Sequence, residues 1–425
     1  MSGITDAAVL AAGEGSRLWP LTRYQPKPML QVGNRTILEY VLTALSNVGI
    51  DRTSIVVGHG RERVQNTFED SFQGMDLSYV HQQSQLGSGH ALQQCSSEFD
   101  GPFLAVNGDT IVDEVMLEGT IDSYRRTDSA ASVAVIASNT PDRYGEVKTR
   151  GKRVVEIAEG SGNGRARVNA GVYVFDTDVF DALLRVPFEE GERPLPAVTD
   201  ELEEPVVATA PGGLWCAPSY PWELLSATEA LLLKQENRSA EGAHRDRTPP
   251  GDGSRALPSA TARERSEPAA RPYVGERIHE SAQVHETAVI DEHAIVGADC
   301  ELQPGVVIGR GTCLHANTRV DANSVIDRSI VGPDVRIGAN ATIRDSIVGG
   351  GASIGDGTVS PGRSASIVIN RTQYTDRRLG GIVADRAEIG ANVSIEPGCR
   401  IGANAVVPTG ARVSGDVSEG TRVMG

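Results

Sequence analysis

The sequence predicts an α/β domain with an open, mostly parallel sheet, followed by a parallel β-helix. Two patterns lead to this prediction. In the N-terminal half, short apolar runs alternate with helical patterns, as they do in open α/β sheets. In the C-terminal third, aliphatic residues recur every six positions, which is the period of stacked hexapeptide coils. A chain of 425 residues is also too long for one ordinary core, so two domains are expected.

The α/β prediction depends on four elements within residues 1–236. The apolar runs 7–10, 54–57 and 103–106 are predicted strands, and the amphipathic stretch 36–48 is a predicted helix. Such alternation indicates the fold class and leaves the strand order open.

Residues 237–272 are predicted to form a flexible linker. The stretch 247–254 reads Arg-Thr-Pro-Pro-Gly-Asp-Gly-Ser, and the alanine, arginine, glutamate and proline residues after it show no apolar periodicity. A partner-binding segment is the alternative interpretation.

Residues 273–425 carry the internal repeat. Glycine often follows the repeating aliphatic residue, as in Ile308-Gly309 and Ile389-Gly390. The series, with two one-residue slips and one long break, includes Ile278, Val284, Ile290, Val296, Leu302, Ile308, Leu314, Val320, Ile326, Val331, Ile337, Ile343, Val348, Ile354, Val383, Ile389, Ile395, Ile401, Val407 and Val413. This region resembles the left-handed β-helix of the hexapeptide-repeat acyltransferases, and the resemblance implies a trimer.

The charge balance argues against a nucleic-acid partner. Formal net charge is −16, and lysine occurs only at positions 27, 148, 152 and 234. A global acidic field repels a polyanion. An acidic surface poor in lysine suits cells with high internal salt, although a GC-rich genome would also favour arginine over lysine.

Cysteine usage and hydropathy predict a cytoplasmic protein without a membrane partner. The five cysteines are scattered, odd in number and without a CxxC pair, which argues against a disulfide framework and a zinc site. No apolar run is long enough to cross a bilayer, and the N-terminus has no basic segment leading into a long apolar one.

A glycine turn after the first predicted strand is suited to phosphate. Gly13 and Gly15 permit close approach of the backbone N–H groups, and the Arg17 guanidinium is a forked cation for phosphate oxygens. Lys27 lies between two prolines and adds a charge on a stiff segment. The third glycine of a dinucleotide fingerprint is replaced by Leu18, and no Gly-Lys-Ser/Thr of a P-loop is present.

The whole stretch Leu10-Ala-Ala-Gly-Glu-Gly-Ser-Arg-Leu-Trp-Pro-Leu-Thr22, with Pro26-Lys-Pro-Met-Leu30, resembles the signature of the sugar-1-phosphate nucleotidyltransferases. That family includes glucose-1-phosphate thymidylyltransferases and N-acetylglucosamine-1-phosphate uridyltransferases. The resemblance implies a Rossmann-like domain and Mg²⁺. It also implies transfer from a pyrimidine nucleoside triphosphate (dTTP or UTP) to glucose 1-phosphate or N-acetylglucosamine 1-phosphate, with release of pyrophosphate.

The resemblance also implies the site residues, because further segments match in the family's order. Catalysis is expected of Arg17, Lys27 and Asp109, and Asp109 is also the expected metal ligand. The expected nucleotide-binding residues are Leu10, Ala12, Gly13, Gly15, Gln82, Gly87 and Ser88, with Gln82 reading the pyrimidine edge. The expected sugar contacts are Gly145, Glu156 and Asn169. His90 is interpreted as a packing or capping residue.

Two departures from the family pattern leave rival functions open. Ala217 stands where the family usually has a second metal-binding aspartate, and Ile157 stands where lysine usually follows the sugar-contact glutamate. These changes favour a non-catalytic nucleotide-sugar sensor as one alternative. An enzyme with an oligomerising β-helix remains the preferred function, because the expected phosphate and metal residues are all present.

A second enzyme activity in the β-helix is the other alternative. In two-domain relatives this domain acetylates an amino-sugar phosphate, using a histidine in a loop between coils. The matching break, between Ser360 and Gly381, contains no histidine. The histidines of the early repeats are interpreted as solvated turn residues: His279, His285, His293 and His315. A bifunctional uridyltransferase and acetyltransferase therefore ranks second.

Overall fold

The computed structural model describes residues 3–127, 129–158, 164–188, 191–245 and 277–423. Most of the predicted linker, from residue 246 to 272, lies outside these ranges. In the described part of the chain, no helix is both long enough and apolar enough to cross a membrane.

A ten-stranded sheet forms the centre of the first domain. In spatial order its strands are Glu146–Arg150, Arg153–Ala158, Val206–Thr209, Ala131–Ser138, Ala166–Phe175, Phe103–Asn107, Asp6–Leu10, Arg52–Val57, Met75–His81 and Ser71–Phe72. Four consecutive strands of this order, from Phe103–Asn107 to Met75–His81, pair in parallel. On the other side of Phe103–Asn107, the strands from Ala166–Phe175 to Glu146–Arg150 pair largely antiparallel. The sequence pattern did not predict this arrangement. The predicted α/β fold and its three predicted strands are confirmed.

Helices cover both faces of the sheet. The α-helices are Ile37–Asn47, Arg61–Phe68, Ser88–Gln93, Glu114–Arg125, Val179–Arg185 and Pro221–Arg245, and the 3₁₀ turns are Ser16–Leu18, Lys27–Met29, Pro141–Arg143 and Leu195–Asp200. The first helix begins where Thr36 and Glu39 form a capping box, since each side chain accepts a hydrogen bond from the other's backbone N–H. The last helix continues to Arg245 and so includes the first nine residues of the predicted linker.

Strand register positions the functional edge of the sheet. Leu10, the last residue of its strand, pairs with Val56 on one side and with Asn107 on the other. The chain segments that follow Leu10 and Asn107 therefore leave the sheet side by side. In open α/β sheets, ligands bind at this carboxyl edge.

The second domain is a parallel β-helix with three sheets. One sheet contains Gln283–Val284, Glu301–Leu302, Arg319–Val320, Arg336–Ile337, Ser353–Ile354, Glu388–Ile389 and Val406–Val407. The next contains Val289–Ile290, Val307–Ile308, Val325–Asp327, Thr342–Arg344, Val359–Ser360, Ser394–Ile395 and Arg412–Val413. The third contains Ile295–Val296, Cys313–Leu314, Ile330–Val331, Ile347–Val348, Ile382–Val383 and Arg400–Ile401. The predicted hexapeptide β-helix is confirmed.

The repeating aliphatic residues fill the β-helix interior from Val296 onward, and Ile278 and Val284 remain exposed at its N-terminal end. The early histidines divide in the same way. His279 and His285 are exposed, as expected for solvated turns, whereas His293 and His315 are buried. The prediction of solvated turns is wrong for the last two. Their coils pack on the first domain, where Leu232 clusters with Ile295 and Cys313 and where Cys313 Sγ donates to the Gly33 carbonyl at 2.8 Å.

The two domains pack against each other. One apolar cluster joins Leu18 and Trp222 of the first domain to Ile330 and Ile347 of the β-helix. Arg328 of the β-helix reinforces this contact by donating to Glu229 of the last helix at 2.8 Å, and Asp345 of the β-helix holds the same guanidinium at 2.7 Å. At the long break in the repeat, the chain forms an antiparallel β-hairpin of Arg363–Ile369 and Thr372–Leu379.

Candidate active site

A cavity of about 430 Å³ opens at the carboxyl edge of the sheet. Its walls come from the glycine turn, the segment around Gln82 and the segment around Asp109. All the residues predicted for catalysis and nucleotide binding line this one cavity: Leu10, Ala12, Gly13, Gly15, Arg17, Lys27, Gln82, Gly87, Ser88 and Asp109.

The two glycines of the turn have different structural roles. Gly15 has φ +65°, and a Cβ built there would lie 2.7 Å from the Lys27 Cβ. Thr22 holds this conformation by donating a hydrogen bond to the Gly15 carbonyl at 3.1 Å. A Cβ at Gly13 would meet no atom within 4 Å, so this residue leaves the cavity open. Gly15 therefore allows the turn to fold beside Lys27, and Gly13 leaves space for a ligand.

Lys27 is held in place from two sides. Its Nζ lies 2.7 Å from Asp109 Oδ2 and 3.3 Å from Ser219 Oγ. The Lys27 side chain is 9% exposed and that of Asp109 is 40% exposed, so the ammonium is fixed while the carboxylate faces the cavity. Partial burial raises the pKa of Asp109, but the charge and hydrogen bond of Lys27 outweigh this effect and hold that pKa below its usual value.

One carboxylate at the cavity, that of Asp109, is available to bind a divalent cation. Among the described residues, no three His, Cys, Asp or Glu side chains cluster as a metal site. Ala217 supplies no carboxylate, and nearby Glu223 is engaged by Arg143 at 2.7 Å and by the Ser219 N–H at 2.8 Å. Mg²⁺ is commonly held by one or two carboxylates together with substrate phosphates and water. Asp109 alone therefore fits such a site.

The Gln82 side chain is oriented by two acceptors. Its amide nitrogen donates to the Gly87 carbonyl at 3.2 Å and lies 2.9 Å from His90 Nδ1. Burial and the charge of Arg193 lower the pKa of His90, so the ring is neutral near pH 7 and accepts at Nδ1. Because a carbonyl can only accept, the amide nitrogen must face Gly87. Among the described residues, nothing donates to Gln82 Oε1.

A distant segment supports the Gln82 region. Arg193 donates its N–H to the Leu86 carbonyl at 2.7 Å, and its own carbonyl accepts from Gly89 at 2.8 Å. Leu195 donates to Ser88 Oγ at 2.9 Å. Sequence reasoning missed this segment because about one hundred residues separate the partners. It also missed other residues that line the cavity: Ser16, Gln85, Glu192 and Ser219.

The three expected sugar residues do not line the cavity. Gly145 and Asn169 lie together, since the Asn169 N–H donates to the Gly145 carbonyl at 3.0 Å. Asn169 Oδ1 accepts a hydrogen bond from the Gly171 N–H at 2.9 Å, and a Cβ added at Gly171 would be 2.5 Å from Asn107 Nδ2. Asn107 itself lines the cavity. These two residues are therefore one layer behind the cavity wall.

Glu156 lies on the neighbouring antiparallel pair of strands. It forms an ion pair with Lys148 at 2.9 Å, and both side chains are about half exposed. Lys148 and Glu156 are direct partners in the sheet register. Since successive side chains of a strand point to opposite faces, Lys148 pairs with Glu156 on the face opposite to Ile157.

Comparison with known proteins identifies the first domain. A family model described as nucleotidyl transferase matches residues 6–223, which is more than half of the chain. The chain belongs to the nucleotidyl transferase family. This confirms the family predicted from the glycine turn, and enzymes of this family generally use a divalent metal, usually Mg²⁺.

The β-helix of this nucleotidyl transferase matches two further models. A GMPPB C-terminal domain matches residues 275–368, and a hexapeptide repeat of succinyl-transferase matches residues 392–414. Proteins with such repeats are commonly trimers.

Full-length relatives of this nucleotidyl transferase occur in archaea. "Bifunctional protein GlmU" of Methanococcus maripaludis (strain C5) is 27% identical over 97% of this chain and 96% of its own. The protein of the same name from Methanocaldococcus jannaschii is 27% identical over 98% and 97%. "Low-salt glycan biosynthesis nucleotidyltransferase Agl11" of Haloferax volcanii is 30% identical over 53% of this chain and 65% of its own.

Proposed function

We propose that this enzyme joins a pyrimidine nucleoside triphosphate, dTTP or UTP, to a sugar 1-phosphate, and releases pyrophosphate. Glucose 1-phosphate and N-acetylglucosamine 1-phosphate are the proposed acceptors. One observation carries the proposal. The fixed Lys27 ammonium, the open Asp109 carboxylate and the glycine turn line a single cavity at the ligand-binding edge of the sheet.

The reaction is an in-line displacement at phosphorus. A phosphate oxygen of the sugar 1-phosphate forms a bond to the α-phosphorus. The bond from the α-phosphorus to the α,β-bridging oxygen breaks, and pyrophosphate leaves with that electron pair. The nucleophile is already an anion, so no general base or covalent enzyme intermediate is needed. Catalysis then depends on positioning and charge neutralisation.

Lys27, Arg17, the glycine turn and Asp109 each have a role in that neutralisation. Lys27, fixed by Asp109 and Ser219, holds the two reacting phosphates together. Arg17 binds the departing pyrophosphate with its forked guanidinium. The N–H groups of the Gly13 to Gly15 turn bind the triphosphate. When bound at Asp109, Mg²⁺ supplies further positive charge for the reacting phosphates.

We attribute the proposed preference for a pyrimidine base to Gln82. Its amide nitrogen is already engaged, which leaves Oε1 as an acceptor for a base N–H. Uracil and thymine carry that donor at N3, whereas cytosine has an acceptor at N3 and carries its donor on the exocyclic amine at C4. An unpaired acceptor costs about 1–3 kcal/mol, so UTP and dTTP should be preferred over CTP by about 5- to 150-fold. Guanine also carries a ring N–H, so GTP belongs in the test.

A second activity is suggested by the word "bifunctional" in the names of full-length relatives. An acetyltransferase needs a general base, and the hairpin that fills the break in the repeat has no histidine. We therefore propose that the protein has one catalytic activity and that its β-helix forms a trimer. We also propose that it is located in the cytoplasm. The apolar residues exposed in the first coils, Ile278, Val284 and Val289, fit such an interface.

The test measures pyrophosphate release by the full-length chain with Mg²⁺ at low and high salt. UTP, dTTP, GTP and CTP are combined with each sugar 1-phosphate, and Asp109→Asn is the matched control. Release that requires both substrates and is lost in Asp109→Asn supports the proposal. Binding of a nucleotide sugar without release contradicts it and favours the sensor.

Two further measurements test the remaining parts. Acetyl-CoA-dependent acetylation of glucosamine 1-phosphate would establish the second activity. Light scattering after size exclusion gives the mass, and a monomer would contradict the trimer.

A further inference from the structure

The β-hairpin 363–379 leaves the β-helix and packs on the catalytic domain. It is inserted between the coil strands Val359–Ser360 and Ile382–Val383. Its apolar side chains join the cluster that contains Leu18 of the glycine turn and Trp222 of the last helix: Ala365, Ile367, Ile369 and Leu379. The hairpin therefore contacts the catalytic domain close to the cavity.

Tyr374 makes the most specific of these contacts. Its hydroxyl lies 2.7 Å from the hydroxyl of Tyr220 in a hydrogen bond. The ring centroids of Tyr374 and Tyr220 are 4.9 Å apart, and Tyr374 is 5.3 Å from the Trp222 ring. The Arg377 guanidinium lies over Trp222 at 5.3 Å. Tyr220 is 5% exposed, so both its hydroxyl and its ring are held by neighbours.

Tyr220 in turn contacts one of the predicted phosphate-binding cations, Arg17. The guanidinium of Arg17 lies 5.8 Å from its ring centroid. Arg17 is exposed and forms no ion pair with any described residue, and this aromatic contact restricts its orientation. The guanidinium of Arg143 lies over the same ring, 4.6 Å from its centroid. The adjacent Ser219 contacts the Lys27 ammonium at 3.3 Å. Tyr220 therefore contacts Arg17 directly and is the chain neighbour of the residue that contacts Lys27.

We propose that the hairpin supports the active site and that Tyr374 is a positioning residue for Arg17. This inference rests on the proposed function, which gives Arg17 its role. A free arginine side chain samples many rotamers, and restricting it reduces the entropy lost when it binds phosphate. The β-helix thus takes part in catalysis in addition to any role in assembly.

Tyr24 offers a matched control. It is also a tyrosine whose hydroxyl joins the two domains, donating to Glu419 at 3.1 Å and accepting from Asn404 at 2.8 Å. It does not line the active-site cavity. Removing either hydroxyl deletes interdomain hydrogen bonds, and only Tyr374 acts on Tyr220.

The experiment compares Tyr374→Phe with Tyr24→Phe in the full-length chain. Both variants keep the ring and should fold, which thermal melting checks. Tyr374→Phe should lower kcat/KM for pyrophosphate release about fivefold, the equivalent of one neutral hydrogen bond. Tyr24→Phe should leave kcat/KM unchanged. Equal losses in the two variants would show that general domain docking is responsible and would overturn the inference.

A double-mutant cycle separates positioning from a structural effect. In an Arg17→Ala background, the loss caused by Tyr374→Phe should shrink, because the group that Tyr374 positions is gone. The same fivefold loss in both backgrounds would refute action through Arg17. An inactive wild type overturns the proposed function and the inference together, whereas an active wild type with an unaffected Tyr374→Phe variant overturns the inference alone.

Discussion

Replacing Lys27 by methionine removes the ammonium and keeps most of the side-chain volume. In the folded protein this ammonium lies 2.7 Å from Asp109 Oδ2 and 3.3 Å from Ser219 Oγ, at the wall of the cavity. The variant therefore separates the contribution of one charge to turnover from its contribution to folding.

The expected loss of turnover follows from the charge and its surroundings. Two unit charges about 4 Å apart interact by about 4 kcal/mol at an effective dielectric constant of about 20. Water in the open cavity reduces this value, and loss of one preorganised group typically costs about 10²–10³ in kcat. Stability should change by less than about 1 kcal/mol, because the carboxylate left behind is 40% exposed and can be hydrated.

The assay is steady-state pyrophosphate release together with chemical unfolding of the same samples. Arg52→Met is the matched control, since Arg52 forms an ion pair with Asp6 at the same 2.7 Å at the opposite end of the first strand. That variant should retain full turnover. If Lys27→Met keeps more than a third of wild-type kcat, the assignment of Lys27 to the reacting phosphates is wrong.

Further predictions concern the glycine turn and a buried histidine. Gly15→Ala should lower kcat at least tenfold and destabilise the fold by about 1–2 kcal/mol, because a side chain is strained at φ +65° and the added methyl group would contact Lys27 Cβ. Gly13→Ala should leave the free energy of unfolding unchanged and raise KM for the triphosphate, because the added methyl group occupies only cavity space. Burial lowers the pKa of His315 to about 4. The free energy of unfolding should therefore be unaffected by this residue above pH 6.5 and should fall by about 3 kcal/mol as the pH is lowered from 6.5 to 4, because the unfolded chain takes up the proton first. His315→Leu should abolish that part of the pH dependence in chemical unfolding, and an unchanged dependence would exclude His315 as its source.

Local patterns carried most of the fold prediction. The six-residue period from Val296 onward predicts the β-helix, because each coil must place an aliphatic side chain in the same interior position. The caps at Thr36 and Val48 bound the predicted helix for a similarly local reason. The antiparallel flank of the sheet was not predictable in this way, since strand order depends on contacts between distant segments.

The candidate site likewise contains some residues that sequence motifs predict and others that only the folded structure brings together. The glycine turn, Lys27 and Asp109 could be predicted because each belongs to a short motif at the end of a strand, and parallel register brings such ends together. Glu192 and Ser219 could not, because each reaches the cavity from a separate part of the chain. The expected sugar residues Gly145, Glu156 and Asn169 lie outside the cavity, and their roles stay predictions.

The sequence by itself determined the two architectures and the phosphate-binding chemistry, since both depend on residue types at short, regular spacings. Only the tertiary structure decided that Tyr374 of the β-helix reaches Tyr220, 154 residues away, and that His293 and His315 are buried. The physical reason is that packing between domains depends on surfaces assembled from many segments. No period or motif in one segment encodes which surface another segment will cover.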